Sequence, residues 1–177
     1  MHIPATTALW FLIPVLPICL YVFFADMKFK KISNKTVWVL FITFIIFGLA
    51  LLPFETFLWR FANYAVVFAI GFVMWMLRQV GAGDVKLAAV MALFVDARDS
   101  ATILWILFAA ILAATVSTLI ARYTPIRHMA PDWAAWRMKN PDDPNSVGGG
   151  TQMTLPMGTG LGLAICTYLI LGILRGA

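Results

Sequence analysis

The feature that most constrains this chain is a series of five apolar runs, each nearly free of charged residues. The runs cover residues 5–25, 36–54, 61–77, 101–121 and 155–174. A helix needs about 20 apolar residues to cross a bilayer, so each run is close to that length. A shorter apolar run, residues 85–95, lies between the third and the fourth. We therefore expect an all-α, polytopic membrane protein with six transmembrane helices, the fourth of them short.

We predict that residues 1–177 form a single transmembrane domain. Its helices are expected at residues 5–25, 36–54, 58–78, 84–96, 101–121 and 155–174, with a cytoplasmic loop over residues 122–154. Hydrophobic residues make up 62% of the chain and charged residues 12%, whereas soluble domains carry about 25% charged residues. The first run lacks the basic start and the cleavage site of a signal peptide, so we predict that it is a permanent helix.

The basic residues predict how the chain is oriented. If the N-terminus is outside the cytoplasm, ten of the thirteen basic residues lie in inner segments, and only Arg60, Arg98 and Arg175 lie outside. The inner ten are Lys28, Lys30, Lys31, Lys35, Arg78, Lys86, Arg122, Arg127, Arg137 and Lys139. Lys and Arg accumulate on the cytoplasmic side of membrane proteins. We therefore expect both termini outside, and topology rather than nucleic-acid binding explains the net charge of +5.

This topology separates two acidic residues from the other six. The six are expected to be solvated in connections: Glu55, Asp96 and Asp99 outside, and Asp132, Asp142 and Asp143 in the long inner loop. Asp26 ends the first predicted helix and Asp84 opens the fourth. Both are therefore expected at the cytoplasmic membrane interface.

Two carboxylates at one depth form a potential acid–base pair, provided that their helices are adjacent. One can activate a water molecule as a base while the other donates a proton. The helix dipoles would favour the charged form of Asp84, at a helix start, and disfavour that of Asp26, at a helix end. In a coupled pair the assignment can also be reversed.

The residues around Asp84 have both a functional and a structural interpretation. Gly81 and Gly83 would let a peptide backbone approach closely; alternatively they end a turn, and Asp84 only caps the helix. Lys86 stands two residues further on, so it lies on a different side of the helix. A side chain that extends to the membrane interface is the favoured interpretation of Lys86 over a direct catalytic role.

The sequence predicts neither a metal site nor a disulfide. Cys19 and Cys166 lie far apart in separate apolar runs, without a CxxC partner, and we interpret both as small core residues. His2 and His128 are isolated, and no HExxH motif occurs. No cofactor is expected.

Three motifs resemble those of the type IV prepilin peptidases, membrane aspartyl proteases of the GxGD class, and most closely their short form for Flp-type, tight-adherence pili. The first is Asp26, followed by a basic stretch and Ile-Ser-Asn at 32–34, where the family usually has Ile-Pro-Asn. The second is GAGDVKL at 81–87, which matches Gly-x-Gly-Asp-x-Lys-Leu. The third is LPMG at 155–158, where the family has Pro-Tyr-Gly or Pro-Phe-Gly. Ser33 and Met157 depart from the family pattern, but these departures do not involve the two aspartates.

The resemblance implies that Asp26 and Asp84 are catalytic, and that the substrate is the N-terminal leader of a prepilin or pseudopilin. The cut would occur on the cytoplasmic side of a bacterial inner membrane, with membrane lipid as the surrounding partner. The implied active-site loop residues are Gly81, Gly83, Lys86, Asn34, Pro156 and Gly158. Longer family members carry two CxxC pairs and methylate the new N-terminus; this sequence has no such pairs, so we predict a peptidase without methyltransferase activity.

Other functions remain as alternatives. A serine protease would pair Ser117 with a histidine, but no apolar run contains one. A presenilin-like protease would have Tyr before its first aspartate, where this chain has Ala25. An ion- or proton-coupled transporter would place its carboxylates near the membrane midplane. A non-catalytic pilus assembly subunit also stays open.

Overall fold

The computed structural model describes residues 1–29, 32–123 and 157–176, and over these residues it is all-helical. The helices are α1 (Ala5–Phe29), α2 (Asn34–Leu51), α3 (Phe54–Met76), α4 (Ala82–Ala92), α5 (Ser100–Tyr123) and α6 (Met157–Arg175). A 3-10 turn, Ala97–Asp99, precedes α5. Pro156, and the predicted loop beyond the end of α5, lie outside the described residues.

Five of the helical segments are long and apolar enough to cross a membrane. They are Ala5–Asp26, Asn34–Leu51, Phe54–Met76, Ala97–Ser117 and Met157–Arg175. With 11 residues, α4 rises only about 16 Å and is shorter than the roughly 30 Å hydrocarbon core. The prediction of an all-α polytopic membrane protein with a short fourth helix is therefore confirmed.

The short helix α4 is enclosed by the longer ones. It packs against α2, α3 and α6, and five of its eleven residues are buried: Val85, Leu87, Ala89, Val90 and Met91. Just beyond α4, the ring of Phe94 packs edge-on against Phe11 of α1 and Phe44 of α2, with centroids 5.1 and 5.3 Å apart. These contacts fix the position of α4 in the centre of the bundle.

The bundle has two ends that carry polar groups. At the end we call the site end, α1 finishes, and α2, α4 and α6 begin. At the opposite end lie the first residues of the chain, the start of α3 and the 3-10 turn. Asp96 and Asp99 belong to this opposite end, and they are only 7% and 2% exposed. The prediction that these two residues are solvated is wrong, because the connection between α4 and α5 folds into the bundle.

Asp99 is surrounded by hydrogen-bond donors. The backbone N–H of His2 donates to Asp99 at 2.9 Å, and the His2 Nδ1 atom lies 2.8 Å from the same carboxylate. The buried Tyr168 hydroxyl donates to Asp99 at 3.0 Å. His2, which looked isolated in the sequence, therefore ties the start of the chain to the start of α5.

Asp96 is paired with two arginines. The Arg60 Nη2 atom, from α3, lies 3.2 Å from one carboxylate oxygen, and the Arg98 Nε atom lies 3.1 Å from the other. The Arg60 side chain is 3% exposed and that of Arg98 is 69% exposed. A buried charge is tolerated when it is paired and hydrogen-bonded. The opposite end is thus held together by a network of neutralised charges.

Candidate active site

Asp26 lies near the end of α1, and its carboxylate is held by the start of α6. The backbone N–H of Thr159 donates to Asp26 Oδ2 at 3.2 Å, and the backbone N–H of Gly158 donates to the same carboxylate. The first N–H groups of a helix have no partner within the helix, and they attract an anion. These contacts therefore stabilise negative charge on Asp26, which is 5% exposed.

This arrangement differs from the expectation based on helix dipoles alone. The sequence placed Asp26 at the end of α1, where the dipole disfavours its charge, but it could not show that α6 begins beside it. Thr159 was not predicted as a site residue. The only signal for it was its position immediately after the LPMG motif.

Gly158 allows this close approach between α6 and Asp26. A Cβ atom at Gly158 would lie 2.8 Å from Asp26 Oδ2 and 3.0 Å from its Cγ. No side chain fits in that space without moving the carboxylate. The structure therefore brings Gly158, which the third motif predicted, into contact with Asp26.

Asp84 lies in the first turn of α4, after a tight connection from α3. Arg78 has a left-handed backbone (φ 58°) that ends α3, a conformation common just after a helix. Gly81 is the N-cap residue of α4, and its backbone N–H donates to Asp84. This is the backward bond that an acidic residue makes in a capping box. Asp84 therefore caps α4, as the structural interpretation of the sequence suggested.

The electrostatic surroundings of Asp84 go beyond capping. Asp84 lies outside the five long apolar helices, and its pKa is raised from 3.8 to about 6. Burial is the larger cause and the nearby charge of Asp26 is the second; the Gly81 N–H acts in the other direction. The two aspartates, from separate helices, are thus close enough to affect each other's ionisation. A carboxyl group with a pKa near neutrality can hold or release a proton during a reaction.

Ile32 packs between the segments that carry the two aspartates. Its Cβ atom lies 3.3 Å from the position that a Cβ atom at Gly83 would occupy, and its Cδ1 atom lies 3.1 Å from the corresponding position at Gly158. Ile32 therefore contacts the start of α4 on one side and the start of α6 on the other. The sequence analysis did not single it out, although it is the first residue of the Ile-Ser-Asn motif.

Lys86 and Asn34 meet at the exposed surface of the site end. The Lys86 Nζ atom donates to Asn34 Oδ1 at 3.3 Å. Ser33 is the N-cap residue of α2, and its hydroxyl accepts a bond from the Lys35 backbone N–H at 3.2 Å. The first and second motifs are thereby joined.

Within the described part of the chain, no three His, Cys, Asp or Glu side chains are grouped so as to hold a metal ion.

Comparison with known proteins identifies the family. The sequence profile of the type IV leader peptidase family matches residues 11–119, which is more than half of the chain. The chain belongs to this family. The predicted resemblance is therefore confirmed, and both Asp26 and Asp84 lie inside the matched residues, with α6 beyond them. Neither the curated proteins nor the solved structures include a match.

Proposed function

We propose that this membrane peptidase is an aspartic endopeptidase that removes the N-terminal leader of Flp-like type IV prepilins or pseudopilins. The observation that carries the proposal is a pair of acidic side chains, Asp26 and Asp84, from two helices, that interact at one end of the bundle. Among the side chains that the structure describes, which do not include those of residues 27–31, no Lys or Arg forms an ion pair with either of them. Acidic pairs without a neutralising cation are typical of acid–base catalysis.

The environments of the two aspartates favour different roles. The amide groups at the start of α6 stabilise charge on Asp26, so Asp26 acts as the base that removes a proton from water. Asp84, whose raised pKa of about 6 lets it take up and release a proton near neutral pH, donates a proton to the oxygen of the scissile carbonyl in its protonated form. The oxygen of the water then bonds to the carbonyl carbon, which gives a tetrahedral intermediate.

Collapse of this intermediate completes the hydrolysis. Asp26 passes its proton to the leaving nitrogen as the C–N bond breaks, and Asp84 recovers a proton from the hydroxyl group as the new carboxyl forms. The pair thus returns to its starting protonation state, as acid–base catalysis requires.

Substrate positioning is assigned to the residues that surround the pair. Gly81 and Gly158 let the Asp84 and Asp26 carboxylates lie directly against the starts of α4 and α6, and Gly83 does the same for Ile32. Lys86 with Asn34 lies at the exposed edge. Pro156 belongs to this proposal through its motif alone. We place the site on the cytoplasmic side of a bacterial inner membrane, with both termini outside the cytoplasm, because of the distribution of Lys and Arg.

The test is cleavage of a tight-adherence prepilin in membranes that contain equal amounts of folded wild type, Asp26→Asn or Asp84→Asn. Each substitution keeps the size of the side chain and removes its acid–base function, so we expect both rates to fall at least about 100-fold. Glu55→Gln is the matched control, since Glu55 is exposed and lies in the first turn of α3, at the opposite end of the bundle. Cleavage at the wild-type rate by either folded Asp variant would refute the acidic pair and favour a transporter or an assembly subunit.

The proposal includes peptidase activity without methyl transfer. Purified protein is incubated with a prepilin and S-adenosylmethionine that carries a labelled methyl group. We expect a shortened pilin without label. Label on the new N-terminus of the product would overturn this part of the proposal and leave the peptidase assignment intact.

A further inference from the structure

A cavity of about 430 Å³ lies between α1, α5 and α6, close to the site end. Its wall is mainly apolar and includes Leu16 and Leu20 of α1 and Ala113 of α5. Thr159, whose backbone donates to Asp26, also borders it. The cavity therefore adjoins the candidate active site and is large enough for small apolar molecules.

Both cysteines of the chain border this cavity, and they meet there. The Cys19 thiol, from α1, and the Cys166 thiol, from α6, lie close enough to interact. Both residues are buried, with 5% and 9% of their surface exposed. The sequence analysis treated them as unrelated core residues, because nothing in a separation of 147 positions indicates that they meet.

The neighbourhood of Gly162 shows that the two helices are in direct contact at this point. Gly162 lies one helical turn before Cys166, and a Cβ atom there would be 3.5 Å from Cys19 Cβ and 3.8 Å from Cys19 Sγ. The Cys19 side chain therefore packs directly on α6 beside Gly162. The packing of α1 on α6, as well as the contact between the sulfur atoms, thus shows that the two thiols are close.

The thiol pair is linked to the candidate site by helix geometry. Cys19 lies seven residues before Asp26, and Cys166 lies seven residues after Thr159. Seven residues are about two helical turns, so in each helix the two residues share a face. The Cys19–Cys166 contact and the Asp26–Thr159 hydrogen bond are therefore two connections between the same two helices.

We propose that Cys19 and Cys166 form a redox-reactive dithiol, which hydroperoxides that enter the cavity convert into an intramolecular disulfide joining α1 to α6. One sulfur attacks a peroxide oxygen, the O–O bond breaks, and a sulfenic acid forms with release of water or an alcohol. The second sulfur attacks the sulfenic sulfur, the S–S bond forms, and water leaves. The two thiols lose two electrons, and the peroxide gains them. A dithiol reductant reverses the reaction by exchange.

Burial of the thiols slows the first step of this oxidation, whereas the proximity of the two sulfur atoms favours the second step. The thiolate is the reactive form, so burial makes the first step slower than at an exposed cysteine. The second step is intramolecular between neighbouring sulfurs, and it is favoured by their fixed positions. Oxidation should therefore give the disulfide rather than a mixture of further oxidised products.

The test uses full-length reduced protein in detergent, treated with hydrogen peroxide or with the apolar cumene hydroperoxide. Free thiols are then blocked, and the products are identified by mass spectrometry. We expect a monomer that has lost two hydrogens and carries a Cys19–Cys166 cross-link, formed at a rate independent of protein concentration. Cys166→Ser should form no monomeric cross-link.

A matched control moves one thiol to another side of α1. In the double variant Cys19→Ser with Tyr21→Cys, the thiol replaces a side chain that is 55% exposed, and intramolecular oxidation should be at least about 10-fold slower than in wild type. The proposal is overturned if wild type keeps both thiols under these conditions, or if the control cross-links as fast as wild type. The assay measures the disulfide alone, so its result does not depend on the proposed peptidase activity.

Discussion

The two ends of the helix bundle each carry two buried or half-buried aspartates, which have different partners. At the opposite end, Asp96 and Asp99 are paired with arginines, a histidine and a tyrosine. At the site end, Asp26 and Asp84 have backbone N–H donors and each other. The same residue type is therefore held by different partners at the two ends.

The pKa values of Asp96 and Asp84 express this difference. Burial acts to raise the pKa of Asp96, but the hydrogen bonds from Arg98 and the charge of Arg60 outweigh it and hold that pKa below its usual value. The pKa of Asp84 is instead raised to about 6 by burial and by Asp26. A carboxylate that stays charged suits a structural ion pair, whereas one that exchanges a proton near neutral pH suits catalysis.

The largest expected effect comes from breaking the network at the opposite end. Arg60→Ala leaves Asp96 buried without its buried cation, and we expect a loss of about 3 to 5 kcal/mol in the free energy of unfolding. Arg98→Ala removes the exposed partner of the same carboxylate and should cost less than about 1 kcal/mol. Unfolding of both variants in mixed micelles measures the two values. Equal stability of the two variants would show that burial of the ion pair has no effect.

A smaller change should disturb the site end without affecting the fold. In Gly158→Ala the new Cβ atom displaces the Asp26 carboxylate, and we expect prepilin cleavage to fall about 100-fold, the usual consequence of misplacing a catalytic group by about 1 Å. Gly162→Ala is the control, because its Cβ atom would meet Cys19 at an ordinary contact distance of 3.5 Å. The measurement is the rate of prepilin cleavage per folded molecule for each of the two variants. If both variants cleave equally well, the contact between α6 and Asp26 does not contribute to activity.

The pH dependence of stability should have opposite signs at the two ends. Asp84 has a raised pKa in the folded protein, so the folded state binds more protons, and the contribution of Asp84 is lost as pH rises from about 4 through about 6. At pH 7 we expect Asp84→Asn to be more stable than wild type by on the order of 2 kcal/mol. Asp96, whose pKa is lowered, contributes stability at neutral pH that is lost on acidification.

Unfolding midpoints between pH 4 and pH 8 for wild type, Asp84→Asn and Asp96→Asn measure this contrast. The difference between wild type and Asp84→Asn should grow as pH rises, and that between wild type and Asp96→Asn should shrink as pH falls. If the unfolding midpoints of all three proteins change with pH in parallel, the predicted contributions of Asp84 and Asp96 to the pH dependence of stability are wrong.

The smallest expected effect concerns the spacing of the two aspartates. Ile32→Ala removes the side-chain atoms that contact the start of α6, and cleavage at saturating prepilin should fall about 5-fold, or about 1 kcal/mol in the activation free energy. Ile32→Val keeps the Cβ contact at Gly83 and should retain most of the activity. A change confined to KM would indicate that Ile32 affects substrate binding rather than the position of the aspartates.

The sequence predicted those features that depend on local pattern. Hydropathy was enough for the five long helices, and three motifs, of which GAGDVKL at 81–87 is the most specific, were enough to recognise the family. Features that depend on long-range contacts were missed. The burial of Asp96 could not be predicted, because a charged connection between two apolar runs looks solvated until its cationic partners are known.

Dependence on long-range contacts also explains which features of the candidate site were not predicted from the sequence. The third motif predicted Gly158 as an active-site residue, but the hydrogen bond from the Thr159 backbone to Asp26 came only from the fold. The contact between Cys19 and Cys166 is also set by the packing of α1 on α6, to which residues distant in the chain contribute.

The most direct test of the contrast between the two ends is the rate of prepilin cleavage per folded molecule for Asp84→Asn beside Asp96→Asn. Both substitutions replace a buried or half-buried carboxylate with an amide of the same shape. We predict that Asp84→Asn loses at least about 100-fold in rate while remaining folded, and that folded Asp96→Asn cleaves at a rate close to wild type although it unfolds more easily. Near-normal cleavage by Asp84→Asn, or its loss in folded Asp96→Asn, would contradict the assignment of catalysis to the site end.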